Sequence, residues 1–159
     1  MWENLLPKGF FVTAGRGSEG LSQLNAFDRA LKDANLAGCN LVTVSSIIPA
    51  DAREVNPVSI APGTITFCVL SREDGVSGEL IGCGLGWGVC EDENGKGYGI
   101  VAEQHGHSSS EYIRHEVKSK LERMGEIRGM KLKSFKSREI SFDVDGKYGS
   151  VVVVLVYVF

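Results

Sequence analysis

Ser45 and Ser46 stand side by side in Asn40-Leu41-Val42-Thr43-Val44-Ser45-Ser46-Ile47-Ile48-Pro49, an otherwise apolar run of strand-forming residues. A strand that needs core contacts has no packing use for paired hydroxyls. Asn40 opens the same run, and Glu103 closes a later one, so a carboxamide, two hydroxyls and a carboxylate make a candidate catalytic group. The plain alternative is a turn asparagine, two satisfied strand hydroxyls and a surface carboxylate. No Ser-His-Asp arrangement with a nucleophile elbow accompanies them. Asp28 is odd in another way. It falls four residues after Leu24 and three before Leu31, inside the apolar stripe of a predicted helix, where an unpaired carboxylate is costly. Either it sits at the stripe's edge and reaches solvent or a basic side chain, or it faces a pocket and receives a cation.

Two further patterns compete for attention. Gly15-Arg16-Gly17-Ser18-Glu19-Gly20 is a literal G-x-G-x-x-G between a predicted strand and a predicted helix, the setting of a dinucleotide site. The next strand carries Val44, Ser45 and Ser46 where a ribose-binding acid belongs, and Glu19 would set a negative charge beside the pyrophosphate. Glycines serving a tight turn are the better reading. His105 and His107 follow Glu103, but three ligands at one strand end with no distant partner make a weak metal set, so no metal site is assigned. Gly82, Gly84, Gly86 and Gly88 alternate along one run, which suits close approach of another backbone at least as well as phosphate binding.

These residues need elements to hold them. Gly9–Ala14 reads as a strand and Ser22 as the cap of a helix whose stripe is Leu24, Phe27, Leu31 and Ala34, ended by Asn35 and Gly38. Asn40–Ile48 is then a second strand, parallel to the first in one sheet. Strands follow at Thr64–Leu70, Glu79–Val89 and Gly97–Glu103, with Glu91–Gly95 as a hairpin turn. Ser108 and Glu111 have capping-box spacing, and Ile113, Val117, Leu121, Met124 and Ile127 predict a helix ending at Gly129. Arg138–Val144 and Ser150–Phe159 close the pattern β-α-β-β-β-β-α-β-β, with Asp145-Gly146 as their turn. Two long helices are too few to cover both faces of one wide sheet, so two stacked sheets with outer helices fit better than one sheet with both helices on a single face. The apolar run Val151–Phe159 suits a strand buried on both faces.

A chain of 159 residues with 43% hydrophobic content fits one domain, 1–159, with a real core. A formal charge of −3 without a basic cluster argues against a nucleic-acid partner. Cys39, Cys68, Cys83 and Cys90 make no C-x-x-C pair and read as reduced thiols in a cytoplasmic protein. The apolar run at the end is nine residues, well short of the ~20 of a membrane helix, and no signal-peptide pattern opens the chain.

Gly17-Ser18-Glu19-Gly20, Leu24-Asn25-Ala26-Phe27-Asp28, Val44-Ser45-Ser46-Ile47 and Gly99–Gly106 together resemble the pyruvoyl-dependent arginine decarboxylase family. The resemblance covers most of the chain and is weakest over residues 64–96, where Trp87 and the alternating glycines would reshape the pocket. It implies self-cleavage between Ser45 and Ser46 into chains 1–45 and 46–159. Ser46 would attack the Ser45 carbonyl and then become a covalent pyruvoyl cofactor, with Asn40 stabilising the oxyanion. L-arginine would form a Schiff base on that group and leave as agmatine and CO2, Glu103 would return a proton, and Asp28 and Ser45 would bind substrate. The family fold is a four-layer αββα sandwich, and its members are trimers of cleaved pairs with sites between subunits. The alternatives are a pyruvoyl decarboxylase of another amino acid, or a non-catalytic nucleotide-binding module using residues 15–20.

Overall fold

The computed structural model describes residues 2–159, with side chains from residue 4 onward. Two sheets stack face to face with one helix outside each, so the four-layer αββα sandwich is the architecture of this chain. The first sheet has the order β2-β5-β10-β1-β4. Its strands are β1 (Gly9–Glu19), β2 (Asn40–Thr43), β4 (Arg53–Glu54), β5 (Ile65–Val76) and β10 (Tyr148–Val158). The second has the order β3-β7-β6-β8, with β9 also paired to β6. It comprises β3 (Ile47–Ile48), β6 (Leu80–Glu91), β7 (Gly97–Gly106), β8 (Lys131–Leu132) and β9 (Lys136–Asp143). Helices α1 (Gln23–Asp33) and α2 (Ser110–Ile127) cover the outer faces.

β10 shows why the layers form. Its residues are buried from Gly149 to Tyr157, and strand alternation divides them between two cores. Val151, Val153, Leu155 and Tyr157 enter the core between the sheets, whereas Val152, Val154 and Val156 pack beneath α1. A third cluster, centred on Ile113, Val117 and Leu121 of α2, covers the second sheet. β1 and β2 are parallel in one sheet as the sequence suggests, but β10 and β5 lie between them.

Glycines set the helix-to-sheet distance on both faces. A Cβ on Gly15 would lie 2.1 Å from the Ala30 carbonyl oxygen and 2.7 Å from the Ala34 nitrogen. One on Gly84 would meet Ile113 at 2.6 Å, and one on Gly86 would meet Val117 at 2.9 Å. This close approach corrects the predicted stripe of α1: its fully buried residues are Ala26 and Ala30, and Leu24 is 71% exposed. No room exists for a leucine where the helix backbone nearly touches the strand. On α2 the stripe holds from Ile113 to Met124, but Ile127 faces solvent, and the cap is Ser109 rather than Ser108. Because the obstacles at Gly15 are backbone atoms that cannot rotate away, Gly15→Ala is expected to destabilise the fold by about 1–3 kcal/mol, read as a lower urea midpoint.

The same glycines correct the idea of a phosphate loop. Gly15–Glu19 is strand, paired residue by residue with Val152–Tyr148, and offers no turn of converging N–H groups. The nucleotide alternative lacks its structural basis.

Three core groups make the fold sensitive to alkali. Burial raises the thiol of Cys68 to about 11, with a smaller push from Cys39, and that of Cys83 to about 12; it raises the phenol of Tyr157 to about 12. Each keeps its proton in the folded chain at a pH where the unfolded chain has lost it. Their contribution is complete below about pH 9 and falls as pH rises toward 12. Denaturant midpoints measured from pH 8 to 11 should therefore drop on the alkaline side, and a flat profile would contradict this assignment of the core.

Candidate active site

The predicted strand Asn40–Ile48 is broken in the middle, and the break is the central feature of the site. β2 ends at Thr43 in the first sheet, and the chain resumes as β3 at Ile47 in the second. Val44, Ser45 and Ser46 make the crossing. On one side the Val44 N–H donates to the Cys68 carbonyl at 2.9 Å; on the other the Val101 N–H donates to the Ser46 carbonyl at 2.9 Å. The Tyr157 hydroxyl donates to the Ile47 carbonyl at 2.7 Å and fixes the far end. Pro49, which lacks an N–H, follows β3 directly and helps limit it to two residues. Among the described residues, no main-chain hydrogen bond engages the Ser45 carbonyl or the Ser46 N–H. The Ser45–Ser46 peptide is thus held at both ends and left open in the middle.

The crossing lines a cavity of about 670 Å³ with Glu103, Lys120, Arg123 and Met124, over an apolar wall that includes Val69, Leu70 and Val101. Glu103 reaches it because β3 covers only the Ile100 and Gly99 stretch of β7. Beyond Val101 the β7 edge is open. The Val101 N–H points to that edge, so alternation turns the main-chain groups of Glu103 the same way. Lys120 satisfies the exposed carbonyl: its Nζ donates to the Glu103 main-chain oxygen at 2.9 Å and also to Oε1 of Gln104. The Gln104 carbonyl in turn accepts from Ser71 Oγ of the first sheet at 2.9 Å. Both sheets and α2 thereby position the strand end that carries Glu103.

Ser45 also borders a second, largely apolar groove of about 380 Å³, formed by Leu5, Leu6, Val44, Ile47, Phe67 and Phe159 among others. Trp87 lies elsewhere, in a cavity with Ile48, Pro49 and Tyr98, while Gly82, Gly84 and Gly86 face α2 and Gly88 faces Leu132 and Ser134, so none of them lines the Ser45–Ser46 cavity. His105 Nδ1 lies 2.8 Å from Glu73, and His107 approaches the same carboxylate at 3.9 Å.

Ser45, Ser46 and Glu103 are brought together; Asn40 and Asp28 are not, within one chain. Asn40 begins β2, five residues before Ser45 and outside the residues that line the cavity, and its Nδ2 donates to the Gly63 carbonyl at 2.9 Å. Asp28 is exposed on the outer side of α1, not buried in its stripe. Lys120 and Arg123 escaped the sequence reading altogether. The usable signal was two cations three residues apart, flanking Leu121 on a helix otherwise read only for its apolar face.

The profile of the family described as Pyruvoyl-dependent arginine decarboxylase (PvlArgDC) matches residues 9–159. A protein named pyruvoyl-dependent arginine decarboxylase from Methanopyrus kandleri is 33% identical over 153 residues, spanning 96% of this chain and 97% of that one. One of the same name from Methanothermobacter thermautotrophicus is 34% identical, with 92% and 93% covered. The setting of Ser46 fits a pyruvoyl group made from it. Its hydroxyl neighbours a carbonyl with no main-chain hydrogen bond, and a cavity adjoins the pair with room for a small ligand. Profile, relatives and this open serine peptide converge: the chain belongs to the pyruvoyl-dependent arginine decarboxylase family.

Proposed function

We propose that the chain cleaves itself between Ser45 and Ser46 and then converts L-arginine to agmatine and CO2. The observation that carries this reading is the Ser45–Ser46 peptide, suspended between two sheets beside Glu103 with its carbonyl open to attack. Ser46 Oγ attacks the Ser45 carbonyl, the C–N bond breaks, and an ester replaces the amide, the proton passing from oxygen to nitrogen. Removal of the Ser46 α-proton expels the Ser45 carboxylate. The dehydroalanine left at 46 takes up water and releases ammonia, so chain 46–159 begins with a pyruvoyl group and chain 1–45 ends in a carboxylate. That carbonyl supplies the electron sink when CO2 leaves a substrate amino acid condensed with it.

Chain residues do the rest. Glu103 returns a proton to the α-carbon. Asp28 receives the guanidinium, whose planar fork suits a carboxylate, and Asn40 donates to the oxyanion during cleavage. Both are exposed and neither lines the Ser45–Ser46 cavity of its own chain, which supports a trimer of cleaved pairs in which a neighbouring chain completes each site. The apolar groove beside Ser45 and exposed Leu24 and Ile47 offer surface for such contacts. Three buried thiols without disulfides suit a reducing, cytoplasmic setting.

Intact-mass spectrometry with a carbonyl-trapping reagent tests the first half. Two fragments divided after Ser45, with the larger one trapped at its first residue, are expected; one unmodified chain would overturn the reading. Release of CO2 from labelled arginine tests the second half, and release from another amino acid alone would redirect it. Asp28→Asn should raise KM for arginine about tenfold through loss of a charge-assisted pair, and an unchanged KM would remove Asp28 from the substrate site.

A further inference from the structure

Lys120 and Arg123 bring two positive charges into the cavity that holds Ser45, Ser46 and Glu103. Among the lining residues this leaves one cation in excess of the Glu103 carboxylate, the partner of Arg123, Glu126, lying outside the lining. For a site read as taking a cationic amino acid, that excess needs a reason. Lys120 is exposed, yet its head group is engaged. Its ammonium has three donors, and two are committed to the Glu103 carbonyl and the Gln104 side chain. The head group is therefore pinned, and one donor is left for a ligand. Arg123 lies one helical turn further along the same side of α2, and Nη1 is bound to Glu126 at 2.8 Å. Both members of that pair are well exposed, so it contributes little and leaves the remaining guanidinium donors available.

We infer that Lys120 and Arg123 form a subsite for the α-carboxylate of the amino-acid substrate, selecting it over the decarboxylated amine. The inference rests on the decarboxylase reading and deepens it. Arginine carries a carboxylate that two cations can hold, whereas agmatine has lost it and gained no compensating negative charge. The same pair that draws substrate in repels the product. A prepositioned lysine also spares the ligand much of the cost of ordering its partner. The clamp grips the carboxylate more strongly than the neutral CO2 that leaves, so it is ground-state binding. Its removal should raise KM and leave kcat unchanged or higher. The other carboxylate available to these cations is the one cleavage creates at Ser45, and the experiment separates the two.

The probe is 5-guanidinopentanoate, which keeps the carboxylate and guanidinium of arginine but lacks the α-amine and so binds without turnover. Calorimetric titration of the cleaved wild-type protein, Arg123→Met, and Lys120→Met/Arg123→Met with this probe and with agmatine gives the selectivity directly. The double variant is expected to bind the probe at least tenfold more weakly and agmatine more tightly, with Lys120→Arg restoring most of the wild-type preference. Arg123→Met leaves the Lys120 contacts with β7 intact, so its smaller loss of probe affinity keeps the test valid should the double variant fold poorly. Probe affinity unchanged in the variants would overturn the inference. Unchanged probe affinity together with a urea midpoint lowered in the cleaved variants, but not in the same variants carrying Ser46→Ala, would overturn it in favour of the Ser45 carboxylate. Failure of the two readings is distinguishable: wild type that binds the probe selectively yet releases no CO2 from arginine sinks the function alone, and turnover with variant-insensitive probe binding sinks the subsite alone.

Discussion

Ser46→Ala is expected to run as one 17.2 kDa band on a denaturing gel and to release no CO2 above background. The substitution removes one oxygen from a half-buried side chain at the crossing between the sheets, where no hydrogen bond within the described residues depends on it, so the fold should be untouched. The chemistry has no substitute. A neighbouring hydroxyl at Ser45 lies on the wrong side of the scissile bond: its own attack would fall on the Val44 carbonyl, whose cleavage would begin a chain at residue 45. Enzymes lower barriers by roughly 8–23 kcal/mol, and one acid or base supplies about 3–5 kcal/mol, so loss of the electron sink leaves turnover unmeasurable. Cleavage persisting in Ser46→Ala at the same bond would assign the cut to a contaminating protease.

That crossing shows where sequence reasoning reached and where it stopped. Hydrophobic pattern located both helices, and it marked β10 as buried on two faces, because alternation and helical spacing are local consequences of which side meets a core. Paired serines in an apolar run were legible as an anomaly. Their cause was not: the run reads as one strand, yet Asn40–Thr43 bonds to β5 and Ile47–Ile48 to β7, a division set by partners distant in sequence. Strand pairing likewise converts Gly15–Glu19 from an apparent loop into the edge-to-edge partner of β10. A helix approaching to within a Cβ radius of a glycine strand reverses the usual expectation that leucines face inward, which is why Leu24 and Ala30 exchange roles.

The site was legible to the extent that its members are close in the fold of one chain. Ser46 and Glu103 come from segments 57 residues apart and still meet, because the crossing lays Ser46 against Val101, two residues before Glu103 on the same strand. Asp28 and Asn40 rest on motif resemblance alone, and their surroundings in one chain do not reach Ser46. Lys120 and Arg123 carried no motif, and only the open edge of β7 reveals why a lysine should sit there.

Glu103→Gln should separate the two chemistries proposed for the cavity. The substitution keeps shape and leaves the main-chain carbonyl, which is the group Lys120 holds at 2.9 Å, unchanged. The exposed side chain contributes no packing that the amide would lose. Cleavage into two chains and folding stability are therefore expected to match wild type. Turnover is not, because an amide cannot deliver the proton that the α-carbon needs once CO2 has gone, and a positioned acid is worth about 10²–10⁴-fold. The expected result is kcat lowered by at least about 10² with KM for arginine within a few-fold. A second readout reports on the proton itself. In heavy water the wild-type enzyme should place deuterium on one face of the product α-carbon, since one carboxyl delivers it from one side. Protonation by bulk solvent in the glutamine variant should scatter the label over both faces. Full turnover, or slow turnover with the label still on a single face, would mean that another group in the cavity delivers the proton, and the ammonium of Lys120, anchored to this same strand, would be the next to substitute.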